Sequence, residues 1–321
     1  MRTRTILAWI GCELALAGAA WIYTRYTHDL QAARARLAAG RRVIETACGP
    51  IEYGESGAGE PVLVIHGAAG GFDQGLTLGE VTLAGGYRII APSRFGYLGA
   101  PVPKAPSAPA QADAYACLLD ALGIRQAVVI GYSAGGPSAL QFALRHPERT
   151  TRLMMLAAIS MRPPLTSAEA RTEGAINRMV ASDFLYWAAI RVAPSKVLAL
   201  LGVKESVQAS LPVEELHIAR RVLDEMLPMT VRLPGIAVDQ AFEMPVEPLS
   251  HITCPVLVAH ARDDTLVTID YGLNTARSIP GAHWAPFEMG GHFLAGHYRE
   301  LQGLVNRFLA GETVAGPLKE P

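Results

Sequence analysis

The sequence predicts an α/β fold: a mostly parallel sheet with helices on both faces, a helical cap insertion and an N-terminal hydrophobic helix. Three observations carry this expectation. Short unbroken apolar runs alternate with segments whose apolar residues recur at helical spacing, as in βαβ units. One run, Ala127 to Ile130, leads into Gly131-Tyr132-Ser133-Ala134-Gly135 and then a helical pattern, so a strand turns abruptly into a helix. The alternation stops at Met161 and resumes near Leu249.

Composition sets the limits. The chain has 321 residues, of which 50% are hydrophobic and 18% charged, which suits one large domain with an insertion and not a disordered chain. Lys plus Arg number 28 and Asp plus Glu 29, so no net positive field exists to gather nucleic acid. Cys12, Cys48, Cys117 and Cys254 are far apart without C-x-x-C spacing. That argues against a zinc site or a disulfide framework, and Cys117 and Cys254 read as ordinary buried thiols. Nothing in the sequence calls for a metal or an organic cofactor, and oligomeric state is not legible.

Residues 1–26 form the first segment. Ile6 to Tyr23 is apolar and near the lower limit for a membrane-spanning helix. Trp9 at one end and Trp21, Tyr23 and Tyr26 at the other resemble interfacial aromatics. Glu13 is costly at mid-membrane. The expectation is an N-terminal membrane anchor through residues 6–23. A cleaved signal peptide, with A-x-A-like sites at Ala15-Leu16-Ala17 and Ala17-Gly18-Ala19, and a packing helix are the alternatives. The chain is thus expected to be membrane-anchored or exported, and basic residues on both flanks leave its orientation open. Residues 27–41, rich in Ala and Arg, read as a connector.

The core is expected over 42–160 and 250–312. Strands are predicted at Arg42 to Ala47, Pro50 to Tyr53, Pro61 to Ile65 and Tyr87 to Ala91. The third ends in His66-Gly67-Ala68-Ala69-Gly70-Gly71. Such a small-residue loop leaves backbone amides uncovered for an oxygen that becomes negative, so Ala68 N–H is the first oxyanion donor expected, with Ala134 N–H the second. His66 reads as a structural hydrogen-bonder. No G-K-[ST] follows, which argues against phosphate binding. Gln111 to Leu122 is helical and ends at Gly123.

The G-x-S-x-G turn puts Ser133 at the apex of a strained strand-to-helix connection, often with φ > 0, at the positive end of the next helix. That helix runs to about Arg145, and Arg152 to Ala158 is the next strand. From 161 to 249 a mainly helical cap is expected, with Thr166-Ser167-Ala168-Glu169 as a capping box. Helices follow over Asp183 to Val192, Lys196 to Leu201 and Glu214 to Met226. A cap over the sheet's carboxyl edge would help line an apolar pocket and exclude water.

Cys254 to Ala259 is a late strand, followed by His260-Ala261-Arg262-Asp263-Asp264. An acid is needed here to orient a histidine. Asp264 is preferred because it stands directly before Thr265-Leu266-Val267, while Asp263 reads as a turn or capping residue. After a helix at Tyr271 to Arg277, the last strand runs from Ile279 to Phe287. Gly290-Gly291-His292 then offers a histidine that can reach back over the sheet. His283, in a strand, and His297, in the C-terminal helix, are weaker candidates. The order Ser133…Asp264…His292 is neither the His-Asp-Ser order of chymotrypsin nor the Asp-His-Ser order of subtilisin.

Together, the strand-HGAAGG loop, GYSAGG, HARDD and GGH resemble the α/β-hydrolase superfamily over roughly Val43 to Leu309. Single-cap members are the nearest in kind: esterases, non-haem haloperoxidase-like enzymes and ring-cleavage-product hydrolases. The resemblance implies a serine hydrolase acting on an ester or related acyl bond of a small, apolar substrate. A C–C bond hydrolase of diketone-type compounds, or a binding protein on the same scaffold, remains as the alternative. Haloalkane dehalogenases and epoxide hydrolases carry an aspartate where Ser133 stands. Ala261 replaces a frequent glycine and Thr268 a frequent proline, and neither change removes a reactive group.

Overall fold

The computed structural model describes residues 2–161, 167–242, 244–245 and 247–314, without the side chains of 2–8, 167–170 and 172–173. In chain order the elements are α1 (Arg2–Gly40), β1 (Arg42–Thr46), β2 (Gly49–Gly57), β3 (Glu60–Ile65), α2 (Phe72–Thr82), β4 (Tyr87–Pro92), α3 (Ala108–Ala121), β5 (Ala127–Tyr132), α4 (Gly136–Arg145) and β6 (Thr150–Leu156). Then come α5 (Ser167–Val180), α6 (Asp183–Val192), α7 (Pro194–Leu200), α8 (Glu205–Ser210), α9 (Val213–Glu225), α10 (Leu233–Ala241), β7 (Val256–Ala261), α11 (Ile269–Ser278), β8 (His283–Phe287) and α12 (Tyr298–Leu309).

The strands form one sheet in the order β1-β2-β4-β3-β5-β6-β7-β8. β1, β2 and β4 pair antiparallel at one edge, and every pairing from β4 through β3 to β8 is parallel. The central strands are apolar throughout because both faces are covered. Leu63, Ile65, Val129, Leu153 and Val258 point into a core shared with α3, α4 and α11. Their alternates Val62, Val64, Val128, Ile130, Met154 and Leu257 point into a second core that includes Leu301, Leu304, Val305 and Phe308 of α12.

Local signals set the helix ends. Ser107 caps α3 by accepting from Ala110 N–H at 3.2 Å, which starts the helix three residues before its expected first residue. Ser182 caps α6 in the same way. α2, α8 and α10 were not expected from the sequence. α2 has glycines at 75 and 79 that lower helical propensity but let the helix lie close on the sheet, where an added Cβ would meet Ala91 and Ile89. The capping box anticipated at Thr166 lies partly outside the described residues.

The cap has its own core, including Tyr186, Trp187, Leu198, Val203, Leu223 and Met229, all buried. α1 is continuous across residues 26 and 27. Its second half packs against the cap: Leu30 and Ala33 are buried, Asp29 accepts from Trp187 Nε1 at 2.9 Å, and Arg36 donates to the carbonyls of Glu225 and Leu227. Its first half is different, with Trp9, Leu14, Leu16, Trp21 and Tyr23 exposed.

One expectation lacks support and another is corrected. Among the described residues no helix is long and apolar enough to cross a membrane, so the anchor expected over residues 6–23 has no support as a span. Glu13 and the small residues around it dilute the apolar run, and the side chains of 6–8 lie outside the described set. Second, Cys48 and Cys117 are joined in a disulfide, whereas the sequence predicts no disulfide framework and an ordinary buried thiol at Cys117. The bridge ties the β1–β2 turn to α3 across 69 residues, a separation that leaves no spacing signal. Cys254 is free.

Candidate active site

The carboxyl ends of the parallel strands bring the three expected side chains together. Ser133 follows β5 with φ 47°, in the left-handed region that a non-glycine residue occupies only when its surroundings enforce it. Two close approaches do so. A Cβ on Gly131 would lie 2.7 Å from Ala139 Cβ, and one on Gly135 would lie 2.6 Å from the carbonyl oxygen of Ile65. Only glycine lets the helix start so near the sheet. Ser133 O also accepts from Ile159 N–H at 2.9 Å, which ties the turn to the chain after β6.

His292 lies on a short 3₁₀ turn after β8, and Asp264 follows β7. His292 Nε2 is 2.9 Å from Ser133 Oγ, and its Nδ1 is 2.8 Å from Asp264 Oδ2. Asp264 Oδ1 accepts from the N–H groups of Leu266 and Val267 at 2.9 and 3.0 Å. Burial alone would raise the Asp264 carboxyl. The charge of His292 and hydrogen bonds from His260 and His292 outweigh burial and hold it well below the usual carboxylate range. A buried carboxylate behind an imidazole whose far nitrogen meets a hydroxyl can fix the tautomer that accepts the hydroxyl proton.

Asp263 does something else. Its carboxylate accepts from Gly291 N–H at 2.8 Å, steadying the turn that carries His292. His283 stacks edge-on against Phe308, and His297 bonds Glu300 at the start of α12, so neither reaches Ser133. Buried His260, which sequence reasoning passed over, bonds the Val267 carbonyl at 2.7 Å and lies 3.4 Å from Asp264 Oδ2.

Ala68 and Ala134 flank Ser133 in the wall of a cavity of about 340 Å³. His66 is structural. Arg94 N–H donates to its Nε2 at 3.0 Å, so the proton of the neutral ring is on Nδ1, which donates to the Gly67 carbonyl at 2.7 Å. Burial, reinforced by the nearby Arg94 charge, pushes His66 well below its ordinary value and keeps it neutral. The rest of the cavity wall is chiefly apolar, including Val180, Leu201, Val222 and Met226 from the cap and Leu156 and Leu301 from the core. Asn177, Asp239 and Gln240 are polar exceptions from the cap, and no lysine or arginine is among the described lining residues. Among the described residues no cluster could hold a metal ion.

Arg94 and Arg232 were also missed. Both are fully buried, and each bonds a carbonyl of the 67–71 loop: Arg94 that of Gly67 at 3.0 Å, Arg232 that of Gly70 at 2.6 Å. Arg94 stands just beyond a strand's carboxyl end, the one available signal. Nothing marks Arg232 or its cap setting.

Comparison with known proteins bears on the fold. A family model described as the α/β hydrolase fold matches residues 60–295. A 2-hydroxymuconate semialdehyde hydrolase from Pseudomonas putida is 30% identical over 264 residues, covering 80% of this chain and 89% of that protein. A 2-hydroxy-6-oxo-6-phenylhexa-2,4-dienoate hydrolase from Burkholderia cepacia is 29% identical, covering 76% of this chain and 85% of its own. Among solved structures, an α/β hydrolase fold protein from Nakamurella multipartita superposes with TM-score 0.69 at 30% identity, covering 86% of this chain and 99% of that one. A thermophilic esterase from Thermogutta terrifontis shares the fold, with TM-score 0.63 at 23% identity over 84% of this chain and 98% of its own.

Proposed function

Because this chain belongs to the α/β-hydrolase fold family and is a hydrolase, we propose that it cleaves a carboxylic ester, or a related acyl bond, through Ser133, His292 and Asp264. The observation that carries the reading is the unbroken hydrogen-bonded line from Ser133 Oγ through His292 to Asp264, opening into an apolar cavity.

Ser133 Oγ attacks the carbonyl carbon as His292 Nε2 takes its proton. Asp264 orients the ring and stabilises the imidazolium. The amides of Ala68 and Ala134 bind the oxyanion, each contributing about 3 kcal/mol. His292 gives its proton to the leaving alcohol, leaving an acyl-enzyme. A water deprotonated by His292 then releases the acid, and Ser133 recovers its proton. No metal or organic cofactor enters this scheme.

The substrate is a small molecule with an apolar acyl part, to match the wall built by Val180, Leu201, Val222 and Met226. The names of the curated relatives favour a second reading, C–C cleavage in a diketone-type acid. Against it, a dienoate brings a carboxylate, and the described lining includes no lysine or arginine to receive one. Short-chain p-nitrophenyl esters compared with a vinylogous diketone acid decide between the two. Preferential turnover of esters is expected, and turnover of the diketone alone would overturn the ester reading. A fluorophosphonate probe tests the further alternative of a binding protein: labelling at Ser133 is expected, and an inert serine would favour binding.

For localisation, the proposal is a membrane-associated or exported protein. The exposed apolar side chains of the first half of α1 and the Cys48–Cys117 bridge support it, since disulfides persist in oxidising compartments. Carbonate extraction of a membrane fraction tests tethering. Full release with no exported form would count against both versions.

A further inference from the structure

Arg94 lies in the loop after β4, fully buried, where it touches both segments that flank Ser133. Its Nη2 donates to the Gly67 carbonyl at 3.0 Å and its Nη1 to the Ala134 carbonyl at 3.2 Å. The Gly67 carbonyl also accepts from His66 Nδ1, and Gly67 N–H is held by Gln74 Oε1 at 3.1 Å. This peptide presses on the nucleophile: a Cβ on Gly67 would lie 3.0 Å from Ser133 Cβ.

In a trans peptide the carbonyl and the following N–H point in opposite directions. Fixing the Gly67 carbonyl towards Arg94 and His66 therefore aims the Ala68 N–H the other way, and Ala68 stands in the cavity wall beside Ser133.

Arg94 is itself held from the cap. Asp239 of α10 pairs with it through both oxygens, Nη2 reaching Oδ2 at 2.7 Å. Tyr97 donates its hydroxyl to Asp239 Oδ2 at 2.5 Å, and its ring lies 4.9 Å from the guanidinium carbon. A guanidinium this deep requires an anion, and the core leaves that anion to the cap. The other end of the loop is tied likewise, since Arg232 bonds the Gly70 carbonyl and Asp73.

We propose that Asp239 is a positioning residue for the oxyanion hole: by fixing Arg94 against the Gly67 carbonyl it aims the Ala68 amide, so seating of the cap and competence of the hole are coupled. This rests on the reading of Ala68 as an oxyanion donor. Asp239 also borders the cavity, so its test must separate aiming from substrate contact.

The test uses the purified full chain, a p-nitrophenyl ester and the matching thionoester. Sulfur accepts hydrogen bonds poorly, so the oxo-to-thiono ratio of kcat reports on the oxyanion donors. For Asp239→Asn, kcat on the ester falls by about 10- to 100-fold, less than loss of a whole donor. KM stays near the wild-type value, the oxo-to-thiono ratio shrinks, and Asp239→Glu recovers part of it. Tyr97→Phe, whose side chain is outside the cavity wall, shifts the ratio in the same direction by less. It also serves if Asp239→Asn does not fold. An unchanged ratio in folded variants, or a raised KM with kcat intact, would overturn the proposal. Failure of the underlying reading shows separately, as ester turnover that survives Ser133→Ala.

Discussion

Asp264 holds His292 from behind at 2.8 Å, with the carboxylate fully buried and its other oxygen occupied by two backbone N–H groups. The aspartate thus fixes which imidazole nitrogen carries the proton. Asp264→Asn keeps the shape but reverses a hydrogen bond. On the proposed mechanism its kcat on a p-nitrophenyl ester is expected to fall by about 10⁴, the loss known where a Ser-His-Asp triad has its aspartate replaced by asparagine, with the circular dichroism spectrum unchanged.

The same carboxylate makes a prediction about pH. Its folded value is depressed, so its stabilising contribution is complete above the ordinary carboxylate range and is lost as pH falls through the lower folded value. Urea unfolding of wild type and Asp264→Asn should show a stability gap that narrows as pH falls below about 4. A gap that widens on acidification would contradict the assignment.

Adjacent aspartates should behave differently. Asp263 binds the backbone that carries His292, through Gly291 N–H. Asp263→Ala removes one hydrogen bond of about 1 kcal/mol, so kcat should fall less than about tenfold. A loss at Asp263 equal to that at Asp264 would refute the division of labour.

The turn at Ser133 depends on absent side chains. Gly135→Ala puts a methyl group 2.6 Å from the Ile65 carbonyl and 2.7 Å from that of His66, and backbone cannot move aside as a flexible side chain does. Thermal or urea melts should show a loss of about 1–3 kcal/mol, with activity falling too because the strained serine relaxes. An unperturbed variant would mean the turn is looser than its contacts imply.

These cases show what could be read in advance. Ser133, Asp264 and His292 were legible because each stands at the end of an apolar strand run, and chain order constrained the choice. The sheet was legible for the same reason. Arg94, Arg232 and Asp239 were not, because their roles arise from pairing across more than a hundred residues between core and cap, and a lone charge in a loop reads as a solvated one. α10, which carries Asp239, opens Leu233-Pro234-Gly235, a start that reads as a turn. The Cys48–Cys117 pairing depended on β1 and α3 packing together, which no spacing announces.

The cysteines yield a chemical prediction. Burial pushes the Cys254 thiol up to about 11, so little thiolate exists near neutrality. Iodoacetamide added to the native chain at about pH 8 should modify exposed Cys12 and spare Cys254, Cys48 and Cys117. Peptide mass analysis reads the result, and Cys254 should become reactive only on unfolding. Rapid native modification of Cys254 would show that its surroundings are open.

The central claim, that Ser133 is the nucleophile, is tested most directly by ester turnover of Ser133→Ala. The account predicts that p-nitrophenyl ester hydrolysis by the folded variant falls to background while its melting temperature stays close to wild type. Turnover at the wild-type rate would contradict it.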